Sequence, residues 1–448
     1  MLTLEEDFLW QCARSWRDPR SPPSGLDWDR AVSLAVKNRM GPLLQVVLQE
    51  TGVEHQLPQG ALRALRRDVA LQKYRARLFG RELRRFLRLA GKRRLPVVVI
   101  KGLWLSSKIY GLGHMRPGGD IDLLLHRRDI RAALNILDYE MGYGRWWRPI
   151  LDDAYYARHH LHQQRCNRGR AVWFEPHWRL DHPYNLLTID YDAMLRRSRP
   201  GTLFGEPVRE LSPPDLLLSL VVHLTKHALY LTSTLERREL PRLIVADGML
   251  MYFADVAEML QRYEQGLDWD CVVARAQEAG ASEMAGAVLR VCRRWLAVPV
   301  PQRVLQALPV KGPDVLTRRL MHGMAEHLLS VHEGRRPSKL WSTLGGFQES
   351  LIFRPIRLLD LARYCLPDAD YLQRRYGSSS ATVALGHLMR AAGQYGRLAL
   401  DTAYYSWRRK NRIQNMNPEE LALCDARYDP LLTGRDLLDR RQAGEESS

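Results

Sequence analysis

The sequence predicts an α+β fold: a small β-sheet core set between an N-terminal helical segment and a mainly α-helical C-terminal region. Apolar, β-branched runs of strand length stand at 97–100, 121–125 and 171–175. The segments before and after instead repeat their apolar residues every three or four positions, the period of a helix with one buried face. The glycine-rich stretch 111–119 and the Ser212-Pro213-Pro214 break punctuate the pattern.

Residues 1–92 read as helical, with Trp10, Trp16, Trp28 and the run Leu43, Leu44, Val46, Val47, Leu48 supplying a buried face. Within them, 63–94 carries thirteen Lys or Arg against only Asp68 and Glu82, while Phe79, Leu83, Leu87 and Ala90 recur at helical spacing. This stretch reads as an amphipathic helix with a basic, solvated face, and that face also offers a surface for nucleic acid. Gly91 ends it. The run 95–100 suits a strand buried on both faces and leads straight into Lys101-Gly102. A short helix is expected over 103–110, a loop over 111–119, a second strand over 121–125 and a helix over 128–139. A third strand over 171–175 is broken by Pro176 and continued by His177-Trp178. Ser212-Pro213-Pro214-Asp215 combines a capping hydroxyl, proline in the first turn and a carboxylate at the positive end of the dipole. It opens a helix over 216–230, followed by helices at 249–263, 269–279 and 284–296 and more beyond Pro301. The divisions expected are an N-terminal helical segment at 1–94, an α/β core at 95–205, a helical domain at 206–310, a further helical region at 311–414 and a loose tail at 415–448.

With 448 residues, 46% of them hydrophobic, and a net charge of +17, the chain is a basic globular protein of several domains. No apolar run approaches the roughly 18 residues of a membrane span. The opening Met1-Leu2-Thr3-Leu4-Glu5-Glu6-Asp7 lacks the basic-then-apolar order of a signal peptide, so a cytoplasmic location is expected. Cys12, Cys166, Cys271, Cys292, Cys365 and Cys424 are scattered, with no zinc-type spacing, and read as reduced thiols.

The chemistry centres on Asp120-Ile121-Asp122. Alternation along a strand turns residues i and i+2 to one face, so both carboxylates project together from an apolar strand. Two like charges side by side are best accommodated by a divalent cation between them, and hard carboxylate oxygens are the ligands Mg²⁺ prefers. Glu175 on the later strand supplies a third carboxylate for Mg²⁺ or Mn²⁺; Asp152 and Asp153 are alternatives. Gly102, where strand meets helix, permits close backbone approach to phosphate, Lys101 adds charge, and Arg116 offers a fork of donors for a phosphate clamp.

In this order, apolar strand 97–100, Lys101-Gly102, Tyr110, Arg116, then Asp120-Ile121-Asp122-Leu123-Leu124, the chain resembles the uncharacterised bacterial nucleotidyltransferases of the polymerase-β-like superfamily. The resemblance continues through Phe174-Glu175-Pro176-His177-Trp178, Leu224-Thr225-Lys226-His227, Phe253-Ala254-Asp255-Val256 and Leu267-Asp268-Trp269, covering roughly 60–380. It implies a small mixed sheet, a helical C-terminal domain, Mg²⁺ and a nucleoside triphosphate donor. Two departures stand out. Lys101-Gly102-Leu103 replaces the usual Gly-Ser, removing a phosphate-contacting serine, and the Asp-x-Asp follows the glycine at a longer interval than usual.

Other motifs point to no further chemistry. His160 and His162, beside His159, would share a strand face without a third partner, so packing or polar contact is the expectation. His223 and His227 stand at i and i+4, but Leu224 occupies the place of a zinc protease's glutamate. Gly111-x-Gly113 lacks the third glycine of a dinucleotide fingerprint, and no P-loop is present. Three functions stay open: a metal-dependent nucleotidyltransferase releasing pyrophosphate, an Asp-x-Asp glycosyltransferase using a nucleotide sugar, and a non-catalytic nucleic-acid- or partner-binding protein on this scaffold. The acceptor is open between small molecule, peptide, protein and RNA.

Overall fold

The computed structural model describes residues 2–145, 161–167, 171–181, 187–228, 231–310, 369–390 and 392–393. Two compact units divide the chain: Met1–Gly144 with His162–Asp181 and Thr188–Gly312, and Arg145–Leu161 with His182–Leu187 and Pro313–Ser448. The first unit is a mixed six-stranded sheet with helices before and after it, an α+β fold.

Helix α1 (Leu4–Ser15) starts at a capping box in which the Thr3 hydroxyl accepts from the Glu6 N–H and the Glu6 carboxylate accepts from the Thr3 N–H. Helices α2 (Trp28–Lys37) and α3 (Gly41–Glu50) follow, and then α4 (Gln59–Lys92), the basic helix foreseen from the sequence. Its buried stripe of Ala61, Leu65, Val69, Phe79, Leu83, Phe86, Leu87 and Ala90 leaves the arginines on the outer face. Strand β1 (Val98–Ile100) runs into α5 (Gly102–Lys108). Beyond the loop come β2 (Ile121–Leu124), α6 (Ile130–Asn135), β3 (Arg165–Cys166), β4 (Trp173–His177), α7 (Tyr191–Arg197), β5 (Arg199–Leu203) and β6 (Glu206–Glu210). The helical half comprises α8 (Pro213–His227), α9 (Leu231–Thr234), α10 (Leu240–Ala246), α11 (Leu250–Arg262), α12 (Trp269–Glu278), α13 (Ser282–Trp295) and α14 (Gln302–Ala307); in the second unit lies α15 (Ala369–Tyr376).

The strand order is β3-β4-β2-β1-β6-β5, with β2 parallel to β4, β1 parallel to β6, and the remaining neighbours antiparallel. Helix α4 covers the back of the sheet, where the Phe86 and Phe174 rings lie 5.5 Å apart and Tyr143 meets Phe174 edge-on at 5.2 Å. The N-terminal helices also brace the helical half. Trp10 donates to the Pro241 carbonyl at 3.2 Å. Asn38, fully buried, donates to the Val245 carbonyl at 2.9 Å and accepts from the Leu250 N–H at 3.0 Å. One amide thus satisfies an orphan acceptor at the end of α10 and an orphan donor at the start of α11.

Three local expectations need correction. Pro176 does not break β4, which runs through it. The Pro176 carbonyl accepts from Gln163, on the side of the short β3, so the missing N–H falls beyond the two-residue β3; the β2 side is served by the flanking residues, as where Leu125 donates to His177. The expected helix over 128–139 is divided into the 3₁₀ turn Arg127–Asp129, α6 and the π-helical turn Ile136–Glu140. The β5–β6 hairpin had no sequence signal. Its turn residues Phe204 and Gly205 both have positive φ, 52° and 80°, as a two-residue hairpin demands, but the usual Asn-Gly signature is absent. Among the described residues no helix is long and apolar enough to cross a membrane.

Candidate active site

Parallel register between β2 and β4 sets Ile121 beside Phe174 and Asp122 beside Glu175. With Phe174 and its neighbours facing α4, alternation turns Asp122 and Glu175 to the opposite face. Asp120 stands two residues before Asp122 and joins them: one carboxylate oxygen from each of Asp120, Asp122 and Glu175 lies within 4.8 Å of the others. The three carboxylates singled out from the sequence are therefore brought together. Asp152, Asp153, His159 and His160 lie outside the described residues.

The cluster is unevenly balanced. Asp122 is 3% exposed and receives Lys101 Nζ at 2.9 Å and His177 Nε2 at 2.9 Å, both on Oδ1. Burial works against its ionisation, but Lys101 and His177 outweigh burial and hold its carboxyl at about 2. Asp120 has no such escort; burial, then Asp122 and Glu175, push its carboxyl up to about 7. Glu175 accepts from Gln164 Nε2 at 2.6 Å on Oε1, while Oε2 lies 3.2 Å from His162 Nε2 and 3.5 Å from His177 Nε2. Burial opposes the charge on Glu175, yet His177 and Lys101 keep its carboxyl below the ordinary value.

Lys101 and Gly102 form the strand-to-helix corner. Lys101 adopts φ 60°, ψ −153°, a region that side-chain-bearing residues rarely occupy, and this corner sits beside the carboxylate cluster its ammonium reaches. The glycine-rich loop lies against the same corner: a Cβ on Gly118 would sit 3.6 Å from the Gly102 Cα, and one on Gly102 would sit 3.7 Å from the Asp120 carbonyl. Arg116 is placed differently from the phosphate clamp expected. It is buried, donating through Nε to Asp255 Oδ2 at 3.0 Å and through Nη1 to the Pro117 carbonyl at 3.2 Å. Tyr110 donates to the other Asp255 oxygen at 3.0 Å. Asp255 on α11 thereby ties the start and the middle of the loop, and Glu258 one turn later accepts from Trp16 Nε1 at 2.7 Å and pairs with Arg17.

Several residues of the site were quoted from the sequence without a role. His177 is the clearest, and its signal was available, because the alternation that pairs Asp120 with Asp122 also pairs Glu175 with His177. His162 gains from another strand the partners its own segment lacked. Half-buried Lys226 on α8 faces the cluster: burial and Lys101 lower its ammonium's value, while Asp181, Asp122 and Glu175 act the other way. On the same helix His223 and His227 meet edge-on at 5.0 Å beside Tyr252.

Three clustered carboxylates with flanking ammonium groups can bind divalent cations and hold polyphosphate. Residues 24–297 match a family of uncharacterised nucleotidyltransferases, a span containing the whole cluster and its supporting helices. No curated protein and no solved structure matches the chain. Sheet, carboxylate cluster and matched span agree, and the chain belongs to this nucleotidyltransferase family.

Proposed function

We propose that the protein transfers a nucleoside monophosphate from a nucleoside triphosphate to an acceptor nucleophile, releasing pyrophosphate, with Mg²⁺ or Mn²⁺ held by Asp120, Asp122 and Glu175. The observation that carries this reading is the convergence of those three carboxylates within 4.8 Å in a member of this family. An all-oxygen donor set suits a hard cation. Charge favours one as well: burial, then the carboxylates of Asp122 and Glu175, oppose ionisation of Asp120, and a bound cation would offset that opposition. When bound there, divalent cations would supply neutralisation of the triphosphate and a more acidic acceptor hydroxyl.

The chain's own groups do the rest. Lys101 and Lys226 bring positive charge to the edge of the cluster, where a triphosphate would lie. Gly102 leaves room for close backbone approach. Arg116, held by Asp255, fixes the loop that delivers Asp120. As the acceptor oxygen bonds to the α-phosphorus, the bond from that phosphorus to the bridging oxygen breaks, pyrophosphate departs, and Glu175 takes the acceptor's proton.

The test is thermal stabilisation by ATP, GTP, CTP and UTP with Mg²⁺, followed by transfer of α-labelled phosphate. At least one triphosphate should stabilise the native chain and lose its effect in Asp122→Asn. An undiminished shift in that variant, or preference for a nucleotide sugar over every triphosphate, would overturn the reading.

One feature favours a polyanionic acceptor, and we infer RNA. The outer face of α4 borders a groove of about 840 Å³ lined by Lys73, Arg77, Arg81, Arg84, Arg88 and His114, among others. His114, on the groove's lining, belongs to the loop that leads to Asp120. RNA affinity should fall steeply with salt and weaken uniformly across sequences in a Lys73→Glu, Arg77→Glu variant. Salt-independent binding, or none, would exclude this acceptor.

A further inference from the structure

We propose that Glu175, His177 and His162 form a second cation site, sharing Glu175 with the carboxylate cluster and selecting an imidazole-preferring divalent metal such as Mn²⁺, Fe²⁺, Co²⁺ or Zn²⁺ over Mg²⁺. The inference deepens the metal-dependent reading above by giving one of its cations a nitrogen-rich seat. One donor atom from each of these residues lies within 4.8 Å of the others. Glu175 Oε2 is 3.2 Å from His162 Nε2 and 3.5 Å from His177 Nε2. Ligand atoms about 2.1 Å from a common metal stand roughly 3.0–3.4 Å apart in octahedral or tetrahedral arrangement, so little movement is needed to admit one.

The stronger argument lies behind the donors. The Nδ1 of His177 is 3.2 Å from the Arg179 carbonyl, which can only accept, so Nδ1 carries the proton and Nε2 is the nitrogen aimed at the carboxylates. Glu175 is anchored in the same way, Gln164 holding Oε1 at 2.6 Å and leaving Oε2 directed at both imidazoles. Metal-binding histidines and carboxylates are characteristically fixed through the atom that does not touch the metal. His162 is carried in by its bridge to His177, with the two rings 4.7 Å apart and edge-on. Imidazole nitrogen follows the Irving–Williams order and has little affinity for Mg²⁺, so this donor set discriminates where the all-oxygen cluster does not.

The test uses the full chain without nucleotide, titrated with Co²⁺ and followed by its visible absorption, with ¹⁴N couplings read by pulsed EPR on the Mn²⁺ form. The native chain should show directly bound nitrogen. His162→Gln, at the more exposed end of the site, should lose one nitrogen coupling and weaken Co²⁺ binding at least about tenfold, with its fold checked by circular dichroism. His177→Gln should do the same where His162→Gln misfolds. An unchanged Co²⁺ spectrum and affinity in these variants, or a native Mn²⁺ spectrum without nitrogen coupling, would overturn the proposal. Absence of any triphosphate effect on the native chain would remove the donor reading alone and leave this site standing if its nitrogen signature is present.

Discussion

Asp120→Asn should make the metal-free protein more stable while abolishing its chemistry. The side chain keeps its size and loses the charge that the cluster balances least well. A carboxyl moved from its ordinary 3.8 to about 7 represents at most about 4 kcal/mol of opposition to ionisation. Partial exposure of Asp120 and relaxation around it reduce this to about 1–2 kcal/mol. The sign follows from proton linkage. Asp120 is deprotonated above about 3.8 in the unfolded chain and only above about 7 in the folded one, so folding takes up a proton between those values. Stability is therefore lost as pH rises through that interval. His177, raised against the cost of its burial by Asp122 and Glu175, also favours the folded state at low pH. It is common to both proteins, so their difference isolates Asp120.

Urea denaturation in EDTA is the assay. At pH 8 Asp120→Asn should exceed the native chain by about 1–2 kcal/mol, and near pH 4 the two should coincide. Saturating Mg²⁺ should stabilise the native chain and reverse the order at pH 8, because a ligand that binds only the folded state adds to its stability. A variant equal to or weaker than the native chain at pH 8 in EDTA would refute the reasoning, since burial and the neighbouring carboxylates would then not oppose the Asp120 charge.

Three other perturbations test the supports of the site. Lys101→Gly and Lys101→Ala both remove the ammonium from Asp122, but only glycine relaxes the backbone at φ 60°, ψ −153°. The glycine variant should be the more stable by about 1–2 kcal/mol in denaturant, and equal stabilities would show an unstrained corner. Asp255→Ala leaves buried Arg116 unpaired and should cost about 3–5 kcal/mol, much of it recovered when Arg116→Met is added; failure to recover would locate the cost elsewhere. Phe174→Ala removes the ring between Phe86 and Tyr143 and should cost about 3–5 kcal/mol in calorimetry or denaturant. A loss below 1 kcal/mol would mean that α4 does not hold the back of the sheet.

The sequence made β1, β2, α4 and the helices after Ser212 legible because each pairs a clear apolar period with an unambiguous boundary, such as Lys101-Gly102 or the Ser212 cap. The aspartate pair was legible for the same reason: alternation fixes the face that Asp120 and Asp122 share before any neighbour is known, whereas Glu175 joins them through the β2–β4 register. The β5–β6 hairpin was hidden because Arg199, Pro200 and Gly201 lack strand character and Phe204 takes a turn position usually given to asparagine or glycine. Its strands are held by register with one another and with β1, which is non-local information. The burial and pairing of Arg116 were hidden on the same account. Its position before the aspartates says nothing of Asp255, 139 residues away in sequence, which claims its guanidinium.

That distance explains how the two halves of the first unit cooperate. Tyr110 and Arg116 bracket the end of α5 and the middle of the glycine-rich loop, and both bond to opposite oxygens of Asp255. The loop therefore cannot shift Asp120 without disturbing a buried carboxylate on α11, and α11 is itself tied through Glu258 to Trp16 and Arg17 of the N-terminal helices. Asp122 needs no such arrangement, because β2 fixes it between two strands. The two aspartates thus differ in kind. Asp122 is ionised by its own escort of Lys101 and His177, whereas Asp120 is positioned by the helical half and, buried without such an escort, keeps its proton to higher pH. If the cluster holds Mg²⁺ as proposed, its binding is coupled to the packing of α11, and Asp255→Ala should weaken Mg²⁺ binding by calorimetric titration although Asp255 touches no carboxylate of the cluster. Unaltered Mg²⁺ affinity in a folded Asp255→Ala protein would show that β2 alone places both aspartates.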